Sequence, residues 1–362
     1  MAEYKPLPVT LPFPTPRQEV FDLLHGIWDR NWLTNAGPVH QEFEAKFGAT
    51  FGLEHVKVVS NGTVALQLAY QALGLQGEVI TTPISYIATT SSLVWEGCTP
   101  VFVDVLPTTL CMDPHAIEAA ITDQTTAIVA THCYGLPCDV EAIQAIADKH
   151  GLKVIYDAAH AVGSTYKGRS LLSFGDYSTT SLHATKLLHA VEGGAIVASN
   201  SELDRKIFYN RNFGHDGPER FEGVGINGKM SEFHAAVGLV NIRHVDAILS
   251  QRKLAHSWYD EALHGARVSK LQVPDGADWN CSYYPVLFES ETALLRTFEA
   301  LAARGITARR YFYPSLDTVE YVRGATLPVA HDVTRRVACL PLMYQLTEED
   351  VSRVASVLQR EA

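Results

Sequence analysis

A lone lysine, Lys186, sits among small residues in the stretch from Ser178 to Val197, and a Glu192-Gly193-Gly194 turn after it leads straight into an apolar run. An amine presented in this way can hold a carbonyl cofactor, although an exposed loop lysine would leave the same trace. Asp157 is the second group with chemistry to offer. It ends the run Lys153-Val-Ile-Tyr and is followed by Ala158, Ala159 and His160. A charge at a buried strand end needs a partner, and the alanines leave room for one; capping of the next helix would explain the aspartate equally well. The third is Asn61-Gly62-Thr63, where a short strand (55–60) meets the helical run Val64 to Leu73. Free N–H groups and the helix dipole favour a phosphate there, while a plain cap by Asn61 or Thr63 fits too.

These residues need a frame that gathers them. From Val79 onward, strands (79–82, 101–105, 127–131, 154–157) alternate with helices (through Trp95, 114–121, 140–150). That alternation predicts an α/β layered domain with a mainly parallel sheet, in which ligands collect at the C-terminal ends of the strands. Asn61, Tyr86, Asp157 and the neighbourhood of Lys186 all fall at such ends. Upstream, a helix over 15–31 with Thr15 as cap and a second carrying Val39, Phe43 and Phe47, with Gly48 as terminator, precede the sheet. Downstream come a strand at 194–198, a helix at 202–210 and about twenty Gly-rich irregular residues from Asn212 to Glu232. A stretch of that length suits an ordered functional loop. A long helix then runs from Ser231 through Ala247, with more helix over 252–263. Strands at 281–288 and 338–342, helices at 291–304 and 347–361, and an Arg- and Tyr-rich segment at 309–313 predict a small α+β unit.

Composition narrows the classes. The 362 residues suffice for a large and a small domain, 47% hydrophobic and 19% charged residues suit a globular chain, and the net charge of −11 argues against nucleic acid. No apolar run reaches transmembrane length, and the Pro-rich start, Met1 to Pro16, lacks the features of a secretory signal. A cytoplasmic location is expected. The six scattered cysteines (98, 111, 133, 138, 281, 339) suit buried free thiols; four residues separate Cys133 from Cys138 and no second pair answers them, so no metal site is expected.

Taken in order, further motifs carry a resemblance. They are Trp32-Leu33-Thr34 with Gly37-Pro38, Ser60-Asn-Gly-Thr-Val-Ala-Leu66, Val103-Asp104-Val105 and His132-Cys-Tyr-Gly-Leu-Pro137. Asp157-Ala-Ala-His160, Ser181 through Lys186 with Glu192-Gly193-Gly194, and Asn227-Gly-Lys-Met-Ser-Glu232 complete the set. From about residue 15 to its end the chain resembles the DegT/DnrJ/StrS family of nucleotide-sugar aminotransferases, which bind pyridoxal 5′-phosphate (PLP). The resemblance implies the aspartate aminotransferase fold, fold type I of the PLP-dependent transferases: an α/β large domain over 15–247, with a mainly parallel mixed sheet between helices, a smaller C-terminal α+β domain over 248–362, and an N-terminal arm over 1–14.

The resemblance also implies roles. Lys186 would hold the cofactor and move a proton between substrate and cofactor. Asp157 would pair with the pyridine nitrogen, making the ring an electron sink. Gly62, Thr63 and Ser181 would hold the phosphate, Tyr86 would stack on the ring, and His160 would lie against the ring or its 3′-oxygen. Asn227 would reach the cofactor of a neighbouring subunit, making a homodimer with shared sites. Arg211, Lys229 and Tyr311 are candidate sugar-nucleotide contacts. Lys229 stands where many relatives carry arginine, which would weaken bidentate recognition, and Leu182 replaces a common aromatic. Relatives that dehydrate sugars have histidine in place of Lys186, so transamination is expected: L-glutamate would donate its amine to PLP, leaving pyridoxamine 5′-phosphate, which would aminate a nucleotide-linked keto sugar. Family members that aminate C4 tend to carry histidine at the place of His160, and the segment from Asn212 to Gly217 resembles theirs, so the resemblance implies C4 of dTDP-4-keto-6-deoxy-D-glucose. The rivals are a C3 aminotransferase on a dTDP-3-keto-6-deoxyhexose and a non-catalytic PLP-binding regulator; no basic DNA-reading element supports the latter.

Overall fold

A computed structural model of the chain describes residues 5–362; the first four residues of the expected N-terminal arm lie outside them. The strands follow the apolar runs. They are β1 (Val56–Val59), β2 (Glu78–Thr81), β3 (Thr99–Phe102), β4 (Thr125–Thr131) and β5 (Lys153–Asp157), a two-residue pair β6 (Thr165–Tyr166) and β7 (Arg169–Ser170), then β8 (Tyr177–Ser181) and β9 (Gly194–Ala198). Seven of them form one mixed sheet in the order β1-β9-β8-β5-β4-β2-β3. Every pairing is parallel except those of β9, which runs antiparallel to both neighbours. The reason is local. Residues 182–193 link β8 to β9 without the helix that usually carries a parallel crossover, and the chain returns antiparallel. Lys186 rides on that link.

Helices pack on the sheet with the caps their sequences suggest. Gly62–Leu73 is capped by Asn61, whose side chain accepts the Val64 N–H at 2.8 Å, and Val140–His150 by Asp139. Two expected boundaries shift. Arg17–Asp29 starts behind Pro16 with no side-chain cap, so Thr15 does not serve as one. Pro38–Phe51 runs past Gly48 and ends at Gly52, in the left-handed conformation. Gly48 has another use: a Cβ there would lie 2.8 Å from the Leu53 carbonyl oxygen, where the chain folds back on the helix.

Further differences come from tertiary packing. The expected 231–247 helix is two, Glu232–Ile242 and Val245–Ala262, broken at Arg243-His244. Residues 114–121 form a 3-10 turn and one α-turn. The segment 309–313, which the sequence leaves as strand or loop, is irregular, with a bridge between Arg309 and Cys339. The helix Pro328–Arg336 and strand β8 are absent from the sequence reading. Strands β10 (Val268–Lys270), β11 (Ala277–Asp278), β12 (Tyr284–Phe288) and β13 (Val337–Leu340) complete the set, with β10-β12-β13 as an antiparallel sheet and β11-β6-β7 as a smaller one. The expected division at 247 falls inside Val245–Ala262. Its first turns bury Val245 and Ile248, the latter in the core of the large sheet, and its later turns bury Ala255 and Tyr259 with β12 and β13. Leu7 joins that second core and bridges Ile306.

Candidate active site

The C-terminal ends of β1, β5 and β8 open on one cleft of about 700 Å³. Asp157 ends β5 and is 5% exposed. One carboxylate oxygen accepts the Ala159 N–H at 3.1 Å and the other accepts the Thr89 hydroxyl at 2.6 Å. Among the described residues no cation lies within ion-pair distance of it. Lys186 lines the same cleft and its amine is lowered from an ordinary value of 10.5 to about 8, because burial opposes the charge more than Asp157 favours it.

Gly62, Thr63 and Ser181 all line the cleft. Asn61 takes the Val64 N–H, which leaves the Gly62 and Thr63 amides, at the first two helical positions, without intrahelical acceptors. The cap and the anion site that the sequence left as alternatives are thus compatible. A Cβ on Gly62 would meet Ser181 Cβ at 3.0 Å and Cα at 3.2 Å, so glycine is what lets the helix start touch the end of β8.

His160 is 4% exposed and held by three rings: Phe312 stacks on it at 5.4 Å and 11°, Tyr134 lies parallel at 6.5 Å, and Tyr283 meets it edge-on at 4.9 Å. Its carbonyl accepts from Asn280 and Ser282 at 2.7 and 3.1 Å. Its Nδ1 is buried with no hydrogen-bond partner. Burial first and the Lys186 amine second hold the imidazole well below its ordinary pKa, so it is neutral. Tyr86 lines the cleft mouth and is 59% exposed, and Tyr311 lines it from the other side with its hydroxyl 3.1 Å from Arg309.

Three predicted residues are not brought into this cleft. Arg211 is 7% exposed and committed to Glu44 at 2.6 Å and the Val58 carbonyl at 2.8 Å. The ion pair joins the end of the helix Ser201–Asn210 to the middle of Pro38–Phe51, the bond to Val58 joins it to β1, and both hold the guanidinium outside the cleft. Lys229 is half-buried and lies 4.8 Å from the centre of the Phe213 ring, its amine lowered by burial and by Arg211. Asn227 is exposed on the segment that passes β1, where the Gly228 carbonyl accepts the Ser60 N–H at 2.8 Å.

The sequence reading missed Thr89, Arg309, Tyr283 and Phe312. Thr89 is a hydroxyl in an apolar helix and left no signal. Arg309 and Phe312 sit in the Arg- and Tyr-rich segment 309–313, held by the Arg309–Cys339 bridge and by the Tyr134 hydroxyl, which donates to the Tyr311 carbonyl; Tyr283 lies in the stretch 281–288, expected as a strand and given no role.

Residues 14–359 match the family model described as the DegT/DnrJ/EryC1/StrS aminotransferase family. A dTDP-4-amino-4,6-dideoxy-D-glucose transaminase of Shigella dysenteriae is 43% identical, over 98% of this chain and 99% of that protein. A protein of the same description from Escherichia coli is 40% identical over 98% of each. The solved structure of DesI in the presence of its TDP-sugar product superposes with a TM-score of 0.93 at 35% identity, covering 98% of this chain and 92% of that one. The chain belongs to the DegT/DnrJ/EryC1/StrS aminotransferase family, as the motifs around Gly62, Asp157 and Lys186 led us to expect.

Proposed function

We propose that this aminotransferase uses PLP to move the amino group of L-glutamate to C4 of dTDP-4-keto-6-deoxy-D-glucose, giving dTDP-4-amino-4,6-dideoxy-D-glucose. One observation carries the chemistry: an amine lowered to about 8 shares a cleft with a buried carboxylate that has no ion-pair partner among the described residues. The choice of sugar is supported by the two transaminases of that description, 43% and 40% identical across nearly the full length.

The residues fit the cofactor. Asp157 is a buried carboxylate in want of a cation, which a protonated pyridine nitrogen supplies. The uncapped Gly62 and Thr63 amides and the Ser181 side chain form a cradle for a phosphate. The orphaned, neutral His160 and the exposed Tyr86 ring offer a polar atom and a stacking face. When bound, PLP supplies an electron sink that makes the substrate α-carbon acidic. The chain does the rest. Lys186 Nζ takes the proton from the α-carbon of glutamate and later delivers one to C4 of the sugar, a task suited to an amine that titrates near working pH. The aromatic wall of Tyr283, Phe312 and His160 excludes water from that transfer. Arg309, exposed at the cleft, is suited to an anionic part of either substrate.

The active unit in this proposal is a homodimer. Asn227 does not line the cleft of its own chain and is exposed, on a segment with exposed Phe213, Phe221, Val224 and Ile226. An apolar patch of that kind suits a second copy, which would bring Asn227 to the neighbouring phosphate cradle.

The test is product analysis. Purified protein, PLP, L-glutamate and dTDP-4-keto-6-deoxy-D-glucose should yield a sugar nucleotide whose mass matches replacement of the keto oxygen by an amine, with NMR placing that amine on C4. An amine on C3, or no product from this keto sugar, would overturn the assignment.

A further inference from the structure

Asp157 does not end at its own side chain. Thr89 Oγ1, on the helix Ile87–Trp95, lies 2.6 Å from Asp157 Oδ2. Ser85 Oγ lies 2.7 Å from Thr89 Oγ1, and Thr131 Oγ1 donates to Ser85 Oγ at 3.1 Å. The three hydroxyls come from three elements: the end of β4, the loop after β2 and the first turn of the following helix. Thr131 is also the register partner of Asp157 across β4 and β5. Thr89, Thr131 and Ser85 are 0%, 1% and 2% exposed, so no bulk water competes for these bonds.

The bonding pattern has a direction. A carboxylate only accepts, and a hydroxyl has one proton to give. Thr89 therefore gives its proton to Asp157, which obliges Ser85 to give its own to Thr89, and Thr131 to give its own to Ser85. Three O–H dipoles point head to tail at one carboxylate oxygen, and each polarises the next. The other oxygen is held by the Ala159 N–H.

We infer that Thr89, backed by Ser85 and Thr131, is a positioning residue that fixes the rotamer of Asp157, so that this carboxylate faces the cofactor nitrogen in one orientation. The inference rests on the PLP reading proposed above. A hydroxyl column used only for packing would be replaceable by groups of equal volume. A column that orients Asp157 is not, because loss of the Thr89 donor frees the carboxylate to rotate and leaves its second oxygen unbonded.

The experiment compares Thr89→Val, which keeps the shape, with Thr89→Ser, which keeps the donor. PLP binding is followed by fluorescence titration of protein stripped of cofactor, and by the absorption band of bound PLP. For Thr89→Val the expected result is a PLP dissociation constant raised about tenfold. Its kcat should fall about tenfold while the KM for glutamate stays within about twofold. Thr89→Ser should recover both values to within about threefold. If Thr89→Val binds PLP and turns over like wild type, or loses only thermal stability, the positioning role is overturned. Should Thr89→Val fail to fold, Ser85→Ala removes the next donor and leaves Thr89 in place. It should raise the PLP dissociation constant about threefold, and no change there overturns the proposal. Wild-type protein that binds no PLP would overturn the cofactor reading and this inference together. Wild-type binding with an unaffected Thr89→Val overturns the inference alone.

Discussion

At the scale of single residues, Lys186 and Asp157 are set by opposite demands. Burial works against the lysine's charge and brings its amine to about 8. The direction settles a pH dependence. Above about 8 the amine is mostly free base, and below it the reactive fraction falls about tenfold per pH unit. Covalent capture of PLP by the stripped protein should therefore speed up with pH and level off near 8, whereas a lysine with the ordinary value of 10.5 would continue to gain well beyond that. Stopped-flow absorbance measures this, and a rate still climbing at pH 10 would contradict the burial argument. Lys186→Ala should remove both the capture and all turnover while its circular dichroism stays that of wild type. Should that variant aminate sugar at the wild-type rate, the central role of the lysine is lost.

Among elements, the helix Gly62–Leu73 shows how backbone makes the site. Its first turn touches the end of β8 only because residue 62 has no Cβ. Gly62→Ala should push the two elements apart, cost about 1–3 kcal/mol of stability and weaken PLP binding about tenfold or more. Urea unfolding and fluorescence titration read the two effects. Asn61→Ala separates cap from cradle, since it removes the bond to the Val64 N–H and should cost about 1 kcal/mol with a smaller change in PLP affinity. Elements of this kind were legible in the sequence. The apolar runs ending in Asp157 and the Gly-Thr helix start announce themselves by residue type, and Val140–His150 and Gly194–Ala198 have the bounds expected of them. Strand β8 did not, because it is buried on both faces and three of its residues carry hydroxyls: Ser178, Thr179 and Thr180 are at most 1% exposed, yet read as polar. Thr179 and Thr180 satisfy themselves on the Tyr156 and Ala158 carbonyls of the neighbouring strand and the turn after it, a pairing that no hydrophobic period reveals. Thr89 escaped for the same reason. Arg211 misled in the other direction, since an arginine near a glycine-rich loop looks free until Glu44 is seen 2.6 Å away.

For the whole molecule the question is whether one chain is enough. The cleft gathers Lys186, Asp157, Gly62, Thr63, Ser181, Tyr86, His160 and Tyr311 from a single copy. Asn227 stays outside on an exposed segment beside Phe221, Val224 and Ile226, which are 62%, 83% and 41% exposed. We propose that the two facts belong together: the patch is covered by a second copy, and that contact completes each site with the other copy's Asn227. Two inactive variants can test this. Lys186→Ala lacks the amine, and Asn227→Asp places a negative charge where a phosphate would come. Each homodimer should be close to inactive. After denaturation and refolding of an equal mixture, half of the dimers are mixed, and each mixed dimer pairs an intact Lys186 with an intact Asn227 at one of its two sites. The mixture should then recover about a quarter of wild-type activity. Were Asn227 to serve its own chain instead, no mixed dimer would hold an intact site, and the mixture would stay inactive. Activity in either variant alone would be a different failure, showing that the substituted group is dispensable.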